Sequence, residues 1–491
     1  MITQNIKILF SILLSCCAIN CYPQSKDPRK EYEDFKQQAM QKYNDFRKQA
    51  NDQYVKFLKE AWEQYNALPA IPKPKDETVP PVTIPEENKN KPIENNPIPI
   101  KDVVAPPTPS PQPTPIAPIK KNSQPQERTV EFIYCGTKYQ VRLNKDLNLS
   151  LQDCSNEQLS NVWTQLSAEG VLNNTIRDCL AIRGSKNLCD WAYLNLLSSF
   201  SKAIYGNSNE ATMLTSYIYA QSGYKMRLGR NEQNIYLLYA SEHGIYDIAY
   251  FDIDGLKFYP FECDQDKLEI CDASFPKEKP LSLYIPQNQQ FEYKASKLRT
   301  LTSKRYPDVQ IHVQVNENMI DFYNTYPTSE VNSNFMTRWA MYANTPLDEH
   351  VKEKLYPALM DKINGLNQLE AVNKLLNWVQ TAFVYEYDDK VWGHDRAFFA
   401  EETLYYPYCD CEDRAILFTR LVRDLLGLKT ILVFYPGHLA SAVCFTDNVS
   451  GDYISLNGKH YVITDPTYIG APVGMTMPDM DNTQAHVILL E

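Results

Sequence analysis

The stretch "CEDRAILFTRLVRDLLGLKTILVF", residues 411–434, decides how the fold is read. From 411 to 426 its apolar and charged residues follow helical spacing, and Gly427 supplies the stop of a helix C-terminus. Beyond the glycine come "TILVFY" (430–435), "LASAVCF" (439–445) and "HYVITDPT" (460–467). These short β-branched and aromatic runs predict strands. A helix leading into a three-stranded antiparallel meander is an α+β unit.

An earlier stretch, "NSNEATMLTSYIYAQSGYKMRLGR" (207–230), has the same layout. Gly223 follows Ala211 by twelve residues, as Gly427 follows Ala415. It leads into "IYLLYA" (235–240) and "IYDIAYFDIDGLKFYPF" (245–261). A helix and meander met twice predict an internal duplication. The copies differ in polar residues: Asn207 stands at the register of Cys411, no histidine opens the earlier middle strand, and "FYPF" replaces "ITDPT". Cys411, His438 and Asp465 therefore belong to the later copy alone.

Those three residue types make a nucleophile, a base and an acid that orients the base. Cys411 heads the helix, where backbone N–H groups and the macrodipole favour a thiolate. His438 opens one strand and Asp465 closes the next, and in an antiparallel pair those ends lie side by side. The neighbouring Cys409, in the approach "YYPYCDC" (405–411), has no such role.

"DCEDRAILFTRLVRDLLGL", "GHLASAV" and "YVITDPTY" resemble the Cys, His and Asp boxes of the transglutaminase-like superfamily, which includes bacterial cysteine peptidases. The resemblance covers about residues 364–468, with a degenerate echo at 129–300. It implies a papain-like α+β fold in which the Cys-bearing helix packs on an antiparallel sheet. It also implies Cys411 as nucleophile, His438 as base and Asp465 as its orienting acid. Many members carry a His-Ala-Trp pattern; His438-Leu439-Ala440 departs from it, which bears on substrate class. Trp392, His394 and Tyr408 are candidate pocket residues, although packing explains Trp392 equally well and a structural loop role suits His394.

The expected reaction is acyl transfer from an amide through a Cys411 thioester, with water as acceptor in a peptidase or amidase. The alternatives are a protein-crosslinking transglutaminase and a non-catalytic envelope-binding scaffold. A peptide or protein is the expected substrate. No cofactor is called for: neither zinc-ligand spacing nor a phosphate-cradling glycine loop appears.

The remaining sequence sets the context. A net charge of −11 argues against nucleic acid as a partner. Residues 1–21 predict a signal peptide, with "LLSC" (13–16) loosely resembling a lipoprotein box. Export to a bacterial periplasm, outer membrane or exterior follows, and membrane contact only through a lipid anchor. Residues 29–68 repeat every eleven positions, led by Tyr32, Tyr43, Tyr54 and Tyr65, which predicts a long amphipathic helix suited to self-association. Residues 69–127 are rich in proline and predict a semi-extended spacer. Two globular regions follow, 129–300 and 301–491. In an exported chain Cys263 and Cys271 are the favoured local disulfide.

Overall fold

Periodicity switches from helical to alternating at each of the two glycines singled out above, and the fold is organised around those switches. The structure is a computed structural model that describes residues 28–74, 79–85, 93–122 and 126–491. The expected signal peptide, 1–21, lies outside the described residues. Among these, no helix is long and apolar enough to cross a membrane.

The chain opens with α1 (Pro28–Lys59), β1 (Glu63–Asn66) and β2 (Asp102–Val104). A hairpin of β3 (Glu127–Tyr134) and β4 (Thr137–Asn144) leads to α2 (Asn156–Ser167), α3 (Asn173–Ser185), α4 (Asp190–Tyr205) and α5 (Asn209–Gln221). The first sheet region holds β5 (Met226–Arg230), β6 (Ile235–Ala240), β7 (Gly244–Ile245), β8 (Phe251–Ile253), β9 (Leu256–Pro260) and β10 (Lys267–Cys271). A connecting region follows, with β11 (Arg299–Thr302), β12 (Gln310–Val313), α6 (Glu317–Thr325), β13 (Ser329–Glu330), α7 (Thr337–Asn344), α8 (Glu349–Ile363) and α9 (Gln368–Ala382). Then come β14 (Val384–Tyr385), α10 (Asp388–Val391), α11 (Ala400–Tyr405), β15 (Tyr408–Cys409) and α12 (Cys411–Leu426). The chain closes with β16 (Lys429–Tyr435), β17 (His438–Cys444), β18 (Tyr453–Leu456), β19 (Lys459–Thr464) and β20 (His486–Leu489).

Each expected meander is part of a six-stranded sheet. The orders are β8-β9-β6-β5-β10-β1 and β18-β19-β17-β16-β20-β2. Each position in one order has its counterpart in the other, and a helix, α5 or α12, precedes the central pair in both. The outer hairpins close alike, on Asp254-Gly255 and Asn457-Gly458, all at positive φ, as two-residue turns between twisted strands require. They differ at one edge: β1 joins β10 antiparallel, whereas β2 joins β20 parallel.

Side chains alternate across the second sheet. Leu432, Phe434, Leu439, Val443 and Val462 join the main core with α12, while Ile431, Val433, Ala440, Ala442 and Ile463 form a second cluster under Ile98.

Four expectations change. The helix stops at Lys59, and Glu63–Asn66 leaves it to become a sheet edge. The proline-rich segment is no free spacer: β2 and several single bridges, such as Pro97 with Tyr453, lay it on the folded body. The division at 300/301 falls inside β11, and the main core runs unbroken from Tyr54 to Ile488. Cys263 and Cys271 are free thiols.

Candidate active site

α12 begins at Cys411 because Asp410 breaks the helical backbone just before it, with φ −114 and ψ −154. The Asp410 N–H donates to Asp413 Oδ2 at 3.1 Å, and Asp413 Oδ1 accepts from the Phe398 N–H at 2.8 Å. The helix ends on Gly427 at φ 64, and its apolar face lies against β16 and β17.

His438 and Asp465 meet. Ser441 pairs with Thr464 across β17 and β19, so the strand start at His438 and the residue after β19 share one sheet end. His438 Nε2 lies 2.8 Å from Asp465 Oδ2. A carboxylate on that nitrogen selects the tautomer with the proton on Nε2. The other carboxylate oxygen accepts N–H bonds from Thr467 at 2.8 Å and Tyr468 at 3.2 Å. Cys411, His438 and Asp465 are all at most 2% exposed. His438 Nδ1 is buried without a hydrogen-bond partner among the described residues, so thiol and imidazole are not hydrogen-bonded in this structure.

Two residues outside the sequence reading brace the site. Gln380, from α9, donates to the carbonyls of Asp465, Tyr468 and Ala471 at 2.8–3.0 Å and pins the turn after Asp465. Arg414, fully buried on α12, donates to the carbonyls of Gln380 (3.3 Å), Phe383 (3.1 Å) and Pro466 (3.4 Å). The helix of Cys411 is thereby tied to the turn of Asp465. An arginine on the apolar side of an amphipathic helix was the signal available. Arg414 also lies over the Tyr385 ring, 5.2 Å from its centroid, and burial raises the hydroxyl pKa of that tyrosine.

Cys409 sits in β15, its sulfur 3.5 Å from Arg414 Nε. Burial pushes its thiol up, against the pull of Arg414. Of the expected pocket residues, Trp392 and His394 adjoin one another. Trp392 packs edge-on against Tyr406 and Phe398 under the Arg396 guanidinium. His394 is exposed and bonded to the Trp392 carbonyl, and Tyr408 is 41% exposed.

Acidic groups crowd the other flank of α12. Carboxylate oxygens of Asp388, Asp395 and Glu412 lie within 4.8 Å of one another, as do the ligand atoms of Asp410, Cys411 and Glu412. Burial, then the Glu412 charge, holds the Asp410 carboxyl well above its usual range. Burial also raises Asp388 to about 7. The buried Arg338 offsets part of this charge, 2.6 Å from Asp395 and 3.9 Å from Glu412. This set of hard oxygens could hold a divalent cation of the calcium or magnesium kind. The four carboxylates come from three separate segments, so no local spacing in the sequence marks them as a ligand set.

Among the described residues, the earlier sheet carries no such constellation. At the matching end, Asn207, Ile235 and Phe261 line an open cavity of about 830 Å³ together with Lys202, Tyr236 and Glu262. Compared with protein-family models, curated proteins and solved structures, the chain finds no match.

Proposed function

We propose that this chain is an exported, cysteine-dependent acyl-transfer enzyme acting on amide bonds of peptides or proteins, with Cys411 as nucleophile, His438 as base and Asp465 as orienting acid. The observation that carries the reading is the buried His438–Asp465 pair, 2.8 Å apart, at the end of the sheet on which the Cys411 helix lies. The Nε2 tautomer leaves Nδ1 with a lone pair to accept the thiol proton. The thiolate then attacks the amide carbonyl, the tetrahedral oxyanion is met by the Cys411 N–H at the helix head, and His438 returns the proton to the leaving amine. Water, deprotonated by His438, releases the acid and regenerates the thiol. Hydrolysis is preferred to crosslinking because no feature among the described residues supplies an amine-binding site.

The shared strand order supports a transglutaminase-like unit present twice, its first copy having lost the triad. The cavity that remains there favours a binding role for the first copy.

Alkylation tests the reading. Burial raises the thiols of Cys135, Cys189 and Cys263 to about 12 and Cys271 to about 11, and also lifts Cys154, Cys179 and Cys409. At pH 6 iodoacetamide should therefore modify Cys411 ahead of these, as mapped by peptide mass, and Cys411→Ala should abolish that adduct. If no Cys411 adduct leads the series, the enzyme reading fails.

A further inference from the structure

The segment "VPPVTIP" (79–85) lies within the proline-rich stretch, yet it is hydrogen-bonded across the candidate site. Its N-terminal end is fixed by the Val79 N–H, which donates to the Gly437 carbonyl at 2.9 Å, one residue before His438. The hydroxyl of Tyr385, which pairs with Cys409 two residues before Cys411, donates to the Val79 carbonyl at 3.2 Å. At its other end the Ile84 N–H donates to the Ile469 carbonyl at 3.0 Å, and the Ile469 N–H to the Val82 carbonyl at 2.7 Å. Thr83 and Ile469 form a parallel bridge four residues after Asp465. Ile84 is buried against Tyr468, Ala471 and Met477, with Val79 and Val82 packed on the same cluster.

This is strand addition: backbone hydrogen bonds fix the register, and alternate side chains fill an apolar groove. Proline and β-branched residues keep such a strand extended before it docks, which lowers the ordering cost. We propose that the groove between Gly437, Tyr385 and Ile469 is a binding site for an extended, proline- and valine-rich polypeptide strand, and that residues 79–85 fill it in cis as an autoinhibitory occupant. That the groove selects the substrate rests on the reading of Cys411 as nucleophile; its occupancy by 79–85 does not. Tethering on both sides, through β1 and β2, gives the cis strand a high effective concentration, so a substrate enters only when this strand is displaced.

The test uses the full chain and a fluorescein-labelled VPPVTIP peptide. Val82→Asp/Ile84→Asp loosens the occupant, and Val79→Pro removes the donor to Gly437 without adding charge. By fluorescence anisotropy the loosened chain should bind the peptide about ten- to hundredfold more tightly than wild type. Its Cys411 should also be alkylated faster by a similar factor. Should circular dichroism show the double variant unfolded, Val79→Pro is judged alone. Equal affinity in wild type and loosened chains, or binding in neither, overturns the proposal. Gained peptide binding with an inert Cys411 upholds the groove and rejects the enzyme, so the two failures are distinguishable.

Discussion

Neighbouring side chains of one type part company when their surroundings differ. Cys409 and Cys411 are two residues apart, yet one sits beside Arg414 in a short strand and the other heads a helix. Histidine divides in the same way. His438 is committed to a carboxylate, whereas His243 accepts the Leu283 N–H at Nε2, 3.1 Å away, and must stay neutral to do so. Burial pulls His243 from 6.5 down to about 4. Above pH 6.5 neither state protonates it. Between those values the unfolded chain binds a proton that the native state refuses, so stability falls as pH falls, by about 3 kcal/mol at the foot of the window. His243→Gln keeps an acceptor but does not titrate. Urea titrations at pH 7 and pH 4.5 should show a stability loss roughly 2–3 kcal/mol smaller in this variant than in wild type. An identical loss would refute the assignment.

The two glycines that stop α5 and α12 look alike in sequence and differ in the structure. Gly427 has φ 64 and open space where a Cβ would stand, so Gly427→Ala carries only the left-handed backbone cost, about 1 kcal/mol. Gly223 has φ 96, and a Cβ there would lie 2.0 Å from the Thr114 carbonyl oxygen of the proline-rich segment. Gly223→Ala should cost at least about 2 kcal/mol more, through displaced backbone. Equal urea midpoints for the two variants would contradict this. Local signals placed the helix stops at Gly223 and Gly427 and the central strands of both sheets, because each depends on a few adjacent residues. They missed where α1 ends. Tyr65 continues the repeat of Tyr32 and Tyr43, but the pairing of Glu63–Asn66 with Lys267–Ile270 outweighs helical periodicity, and no local pattern reports a partner two hundred residues away.

At the largest scale the same blindness made two regions and a spacer out of a stitched body. Proline reads as spacer because it donates no ladder hydrogen bond, but the residues beside prolines can pair: the Ile98 N–H donates to the Tyr453 carbonyl, the Tyr453 N–H to the Asn96 carbonyl, and Thr83 bridges with Ile469. The site was half readable for the same reason. The order of Cys411, His438 and Asp465 along helix and strands is a chain property, whereas Gln380, Arg414 and the carboxylate cluster are assembled by tertiary packing. These stitches carry a consequence for unfolding. The first sheet takes an edge from β1 and the second from β2, both supplied by the chain before residue 105. β7 pairs with β13, joining the first sheet region to the helices leading towards α12. One apolar core spans Trp163, Trp339 and Trp378. Two separable domains would melt in two steps, each with its own surface exposure. A body with shared edges and a shared core should melt in one. Scanning calorimetry should give a single peak whose calorimetric and van't Hoff enthalpies agree. Val104→Asp, which puts a charge into the buried end of β2, should lower that peak without splitting it, because the strand that loosens the second sheet is continuous with the segments packed on the first. Two resolved transitions in the wild-type chain would show that the sheets are independent.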